Sequence, residues 1–308
     1  MMGKSIYTDL AMEAREMNPA LSGVTEETSE KDGVSISRIR VETEEAARKL
    51  EKPRGEYVTI DAPDLINRPL DLFEQVSKEL AEEIKRLMEG LPKDAPVLVI
   101  GLGNRFITPD ALGPRVVEQV YVTRHILEYM PDLLDFKPRA VSAIAPGVLG
   151  VTGVETLEVV RGIVERVKPA LVIAVDALAS RRAARISSTI QLTDTGIEPG
   201  AGVGNLRMGI NQESLGVPVM ALGVPLVVYA STITQDTISL IADESGIKNE
   251  GDRFIELAEK VINEKLGPMI VTPKDIDSIV TDMSRILADA INMAMQDIHY
   301  EDVRMLIA

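Results

Sequence analysis

The chain has 308 residues, a formal net charge of −15 and no cysteine. Disulfides and thiol chemistry are therefore excluded, and the acidic balance argues against a surface for nucleic acid or anionic membranes. Aromatic residues make up only 3% of a chain that is 45% hydrophobic, so the core must be mostly aliphatic. Neither a signal-peptide pattern nor an apolar run of membrane-spanning length is found, which predicts a cytoplasmic protein without membrane contacts.

The first quarter of the chain predicts a detachable start followed by regular elements. Residues 1–30 are interrupted by Asn18-Pro19, and the polar run 25–33 predicts a loop. Beyond it, alternating apolar residues predict strands and helical spacing of apolar residues predicts helices. These elements are a strand at 34–41, a helix at 43–50, a strand at 57–61 and a helix at 71–90.

The stretch that follows carries the most informative pattern of the chain. Val97-Leu98-Val99-Ile100 predicts a strand buried on both faces. Gly101 and Gly103 allow a tight turn after it, and Pro109 stiffens the backbone before Asp110. Asp110 is thus expected beyond the carboxyl end of a buried strand, where ligands and chemistry in α/β sheets usually lie.

The rest of the chain alternates predicted strands and helices. The elements are a helix at 114–129, a strand at 140–144, a helix at 152–167, strands at 171–175 and 190–192, a glycine-rich loop at 195–209, strands at 217–222 and 226–229, and helices at 232–243, 253–264 and 274–297. This order predicts an α/β fold with a mostly parallel central sheet and helices on both faces. Extra N-terminal strands and a C-terminal helical region would complete it.

Two aspartates follow predicted buried strands, Asp110 and Asp176. If the two strands are neighbours, both carboxylates face one crevice. Two nearby carboxylates do not both ionise readily, so one would act as a general base on water and the other as a general acid. The alternative is that each aspartate only caps the helix that follows it.

Several long motifs resemble the germination protease family of endospore-forming Firmicutes. They are LVIGLGNRFITPDALGPR at 98–115, APGVLGVTGVET at 145–156, LVIAVDALASR at 171–181, TDTGIEPGAGVGNLR at 193–207 and LGVPVMALGVPLVVYASTI at 215–233. The likeness extends from Ile6 to about Ala308. It implies an endopeptidase that degrades small acid-soluble spore proteins during germination, located in the spore core. It also implies a homotetramer, a fold like that of hydrogenase-maturation proteases, and catalysis by Asp110 and Asp176 without a cofactor.

The resemblance further implies a zymogen that removes its own N-terminal segment. The family cleaves after an acidic residue that is followed by a hydrophobic residue and alanine, and Asp9-Leu10-Ala11 fits this rule. We therefore expect a propeptide at 1–9 and a single protease domain at 10–308. Ile6 departs from the acidic residue often found four positions before the cut. Without the resemblance, the tripeptide would indicate only the start of a helix.

Recognition of an acidic side chain by an acidic protein requires local cations. Four arginines flank the expected crevice in sequence: Arg105, Arg181, Arg182 and Arg207. Of these, Arg181, Arg105 and Arg207 are the candidates for substrate binding, although any of them could equally be a solvated surface residue.

Two other functions stay open at this point. A metal-dependent, nickel-sensing maturation protease would need a third ligand near the acids, and neither His125 nor His299 follows a predicted strand. No metal site is therefore predicted. A non-enzymatic module could instead bind an anion through the amides of the glycine-rich loop.

Overall fold

The computed structural model describes residues 8–130, 138–198, 208–245, 261 and 269–307. One sheet organises this part of the chain. Its strands are β1 (Val24–Lys31), β2 (Val34–Val41), β3 (Gly55–Asp61), β4 (Val97–Gly101), β5 (Val141–Ile144), β6 (Leu171–Ser180), β7 (Thr189–Thr193), β8 (Val219–Tyr229) and β9 (Ile270–Val271). Their order is β1-β2-β3-β7-β8-β6-β4-β5, with β9 beside β8.

Helices cover both faces of the sheet. The α-helices are α1 (Ala11–Met17), α2 (Glu44–Leu50), α3 (Leu70–Leu87), α4 (Leu112–Val117), α5 (Arg124–Tyr129), α6 (Leu149–Thr152), α7 (Thr156–Val167), α8 (Gln212–Leu215), α9 (Ala230–Ser245), α10 (Ile276–Gln296) and α11 (Tyr300–Ile307). Helices α3, α4 and α10 bury their apolar sides against one face. On the other face α7 packs against β4 and β6, while α1 and α2 pack against β2 and β3.

The α/β class is confirmed, but the sheet is mixed rather than mostly parallel. The four strands β5, β4, β6 and β8 run parallel to one another. On the other side of β8, each neighbouring pair is antiparallel: β8 with β7, β7 with β3, β3 with β2 and β2 with β1. One cause is visible in the turn between β1 and β2. Asp32 and Gly33 both have positive φ angles, 50° and 79°, and a two-residue Asp-Gly turn joins antiparallel strands.

Three predicted boundaries are wrong for identifiable reasons. Strand β1 was predicted as a loop because it is an edge strand with almost wholly exposed, polar side chains. The helix predicted at 114–129 is divided into α4 and α5, because the backbone between them bonds elsewhere: Tyr121 N donates to Asn292 Oδ1 (2.7 Å). The strands predicted at 217–222 and 226–229 form one strand, β8, in which a bulge accommodates Pro225.

The predicted helix at 253–264 lies outside the described residues except for Val261. Among the helices that the structure describes, none combines the length and the apolar character needed to cross a membrane.

Candidate active site

Two glycines close the loop that carries Asp110. A Cβ on Gly101 would lie 2.1 Å from the carbonyl oxygen of Gly113, and one on Gly113 would lie 2.5 Å from that of Val175. Only glycine permits so close an approach, so the loop folds back against the ends of β4 and β6. Asp110 lies here in a 3-10 turn. One oxygen of its half-buried carboxylate accepts a hydrogen bond from Asn104 N (2.8 Å).

Asp176 lies inside β6 rather than after it, because the strand continues to Ser180 instead of ending at Val175. Strand β4 ends at Gly101, opposite Val175, so Asp176 is the first residue of β6 beyond the end of β4. Its side chain is 6% exposed, and Oδ1 accepts a bond from Ala177 N (2.9 Å).

The condition that the two strands are neighbours is met, since β4 and β6 pair along the length of β4. The turn that carries Asp110 also contacts β6. Both aspartates therefore lie just beyond the carboxyl end of β4, where the crevice was expected.

The N-terminal segment that the structure describes, residues 8–17, docks on β6 beyond Asp176. Asp9 N donates to the carbonyl oxygen of Ala179 (3.0 Å). In return, Ala179 N donates to Asp9 Oδ2 (2.7 Å). Ala179 is three positions beyond Asp176 on β6. The predicted cleavage site is thus bound beside the candidate catalytic strand.

Gln191, on β7, holds the same segment from another side. Its Nε2 donates to the carbonyl oxygen of Asp9 (3.0 Å), and its Oε1 accepts from Ala11 N (2.6 Å). Leu10, between these two contacts, is fully buried. The peptide bonds on both sides of Leu10 are therefore fixed by one side chain.

Lys52 places a cation at the docked segment. Its Nζ donates to the carbonyl oxygen of Thr8 (2.9 Å). The pKa of Lys52 lies below its usual value because of burial, and the charge of Asp9 is the strongest of the influences that oppose this lowering. Lys52 and Asp9 line one cavity of about 510 Å³, which also touches Leu178, Gln191 and Gly223.

Helix α1 anchors the segment through acids that bind the chain after β6. Glu13 is 1% exposed, and its carboxylate accepts from the backbone N–H groups of Arg181 (2.7 Å) and Arg182 (2.9 Å). The Arg185 guanidinium forms ion pairs with Glu13 (3.5 Å) and Glu16 (2.6 Å). A carboxylate that is buried with several charge-assisted partners resists displacement.

The predicted arginines have other partners. Arg105 pairs with Glu118 on the solvent side of the Asp110 loop, Arg181 pairs with Asp236 (3.7 Å), and Arg182 pairs with Glu16 (3.4 Å). Arg207 lies outside the described residues, as does most of the glycine-rich loop. It is the backbone of Ala179 that holds the Asp9 carboxylate.

Sequence reasoning missed Lys52, Gln191 and Glu13. Each acts across a long stretch of chain, and Gln191 is 182 positions from Asp9. The one available signal was that Gln191 is a polar residue in the middle of the predicted strand at 190–192. Within the part of the chain that the structure describes, no three His, Asp or Glu side chains are grouped to hold a metal ion.

The comparisons with known proteins agree with one another. The family model described as germination protease matches residues 2–256. The germination protease of Caldanaerobacter subterraneus subsp. tengcongensis is 46% identical, with 94% of each chain covered. Those of Clostridium perfringens and Bacillus cytotoxicus are 45% and 38% identical, with 95% and 94% of each chain covered. A match of this extent along both chains shows that the protein belongs to the germination protease family.

Proposed function

We propose that this member of a peptidase family is an endopeptidase that cleaves small acid-soluble spore proteins during germination, using Asp110 and Asp176. The bond cut would follow an acidic residue and precede a hydrophobic residue and alanine. The observation that carries the proposal is the docking of Asp9-Leu10-Ala11 on β6, the strand that contains Asp176. A segment with the expected substrate pattern is bound to the strand that carries one of the two acids.

The two acids divide the chemistry of amide hydrolysis. One carboxylate, charged, accepts a proton from the attacking water, and the other, protonated, donates one to the leaving nitrogen. Their shared position beyond the carboxyl end of β4 supports this assignment, because two carboxyl groups held close together do not both ionise readily. The family match does not favour the metal-dependent maturation protease.

The contacts of Asp9 explain how an acidic protein would bind an acidic residue. The Ala179 N–H supplies a directed hydrogen bond to the carboxylate. Lys52 supplies a nearby positive charge, and its partly buried surroundings reduce screening by water. An external substrate would place its acidic side chain in the same position once the segment has left.

Replacing Lys52 tests this account of specificity. With Lys52→Met, the ratio of kcat/KM for a peptide containing Asp before the cut to one containing Asn should fall about tenfold. Asn can still accept from the Ala179 N–H, so the comparison isolates the charge. Lys49→Met, on the neighbouring exposed turn of α2, is the matched control. An unchanged Asp-to-Asn ratio in Lys52→Met would remove Lys52 from the recognition site.

The docked segment also accounts for a zymogen. We propose that residues 1–9 are a propeptide, that 10–308 form the mature enzyme, and that self-cleavage opens the site. While the segment is bound, Asp9 occupies the position that a substrate's acidic residue needs. We further propose a homotetramer in the cytoplasm of the spore core, as the resemblance implies.

The direct test is digestion of a purified basic spore protein by the processed enzyme. Cleavage after acidic residues, at the same rate with and without a chelator, is expected for the two-acid mechanism. Intact spore protein after prolonged incubation would contradict the proposed substrate, and loss of cleavage in the chelator would contradict the mechanism.

A further inference from the structure

The side-chain amide of Gln191 binds main-chain atoms on both sides of Leu10. Its Nε2 donates to the carbonyl oxygen of Asp9 at 3.0 Å, and its Oε1 accepts from the N–H of Ala11 at 2.6 Å. Gln191 itself is 7% exposed. Both halves of the amide are therefore used, in a place shielded from water.

These contacts do not depend on which side chain lies between them. A carboxamide presents one donor and one acceptor, as a backbone peptide group does, so it can satisfy the carbonyl and N–H of any extended peptide. Buried main-chain groups left without such partners would be costly. The arrangement thus suits a peptide-binding residue that must accept many sequences.

Gln191 also shares a face of the sheet with Asp176. Asp176 pairs with Gly223 on β8, and Gly223 pairs with Gln191 on β7, so the three lie in one row. Two strand spacings put the Cα atoms of Asp176 and Gln191 roughly 10 Å apart. Gly223 has no side chain, and the Leu178 side chain packs over it: Leu178 Cγ would lie 2.6 Å from a Cβ at that position.

We propose that Gln191 is a substrate-binding residue, which holds the main chain on either side of the residue after the scissile bond. It binds the N-terminal segment first, and external peptides after processing, once Leu10 and Ala11, which stay on the mature chain, have also left β7. This inference rests on the proposed function, because it takes the bond between Asp9 and Leu10 as the one that is cut. The site thus has two recognition elements. Ala179 and Lys52 select the acidic side chain before the scissile bond, and Gln191 aligns the substrate backbone after it.

A single-atom change in the substrate tests the contact with the N–H group. Two peptides containing Asp-Leu-Ala are compared, one normal and one with lactic acid in place of alanine, which replaces that N–H with an ester oxygen. With the processed wild-type enzyme, kcat/KM for cutting the Asp–Leu bond should fall about fivefold on this change. With Gln191→Leu, which lacks the acceptor, the two peptides should be cut at equal rates.

The controls separate this inference from the function on which it rests. Thr193→Val alters the same face of β7, two residues from Gln191. The ester penalty, which is the fall in kcat/KM from the normal to the ester peptide, should be the same in this variant as in the wild type. Gln191→Glu keeps the acceptor but loses the donor, so it should keep the penalty while cutting both peptides more slowly. It also provides the test if Gln191→Leu does not fold. Equal penalties in wild type and Gln191→Leu, or full activity of Gln191→Glu, would overturn the assignment. Failure of the wild type to cut the normal peptide would instead refute the proposed function.

Discussion

Asp176→Asn should lower the kcat of peptide cleavage by about a thousandfold without unfolding the protein, since proton transfer by a positioned carboxylate contributes an effect of this order. Asparagine has the same shape, and its side-chain oxygen can still accept from Ala177 N. It cannot accept or donate the proton that hydrolysis requires. The measurement is the turnover of an Asp-Leu-Ala peptide by the processed enzyme, together with the thermal unfolding midpoint.

Asp110→Asn should have an effect of similar size, because each acid performs one of two necessary proton transfers. Its side-chain oxygen can likewise keep the bond from Asn104 N. Asp282 lies on α10 and pairs with Arg68, so Asp282→Asn controls for the loss of one negative charge. Turnover near the wild-type rate in a well-folded Asp110 or Asp176 variant would show that the two-acid assignment is wrong.

The position of Asp110 can be predicted from the sequence, because it depends on residues close to it in the chain. An unbroken aliphatic strand, two glycines and a proline specify where Asp110 lies, because each constrains the backbone close to it. The parallel direction of β4, β5 and β6 could be expected from strand–helix–strand alternation. The pairing of β4 with β6 could not, since strand order depends on which apolar faces pack together.

The contacts of the N-terminal segment could not be predicted from pattern, because they join residues far apart in the chain. Glu13 lies 168 positions from Arg181, to whose backbone it binds. Nothing near Glu13 in the sequence distinguishes it from a solvated helix acid. Strand β6 was predicted too short for a related reason. Of its last five residues all but Leu178 are polar or small, and they are held by β8 and by Asp9 rather than by a run of apolar side chains.

Asp9→Ala should slow removal of the N-terminal segment about a hundredfold. The change deletes the oxygen that accepts from Ala179 N and the negative charge that acts most strongly on Lys52. The backbone contacts of Asp9 with Ala179 and Gln191 do not need the side chain, and α1 stays anchored through Glu13. The segment should therefore stay docked, so that slower cutting reflects lost recognition. Intact mass and N-terminal sequencing during activation at mildly acidic pH provide the measurement.

Asp9→Asn divides this effect into its two causes. Asparagine keeps an oxygen for the Ala179 N–H but carries no charge, so processing should be faster than in Asp9→Ala and slower than in the wild type. The catalytic step can be supplied separately by adding processed wild-type enzyme to full-length Asp176→Asn protein, which cannot process itself. That protein should be cut to leave Leu10 as its first residue, and the Asp176→Asn, Asp9→Ala double variant should stay intact. A mature chain beginning anywhere else, or full activity of unprocessed Asp9→Ala protein, would contradict both the cleavage site and its role in keeping the enzyme inactive.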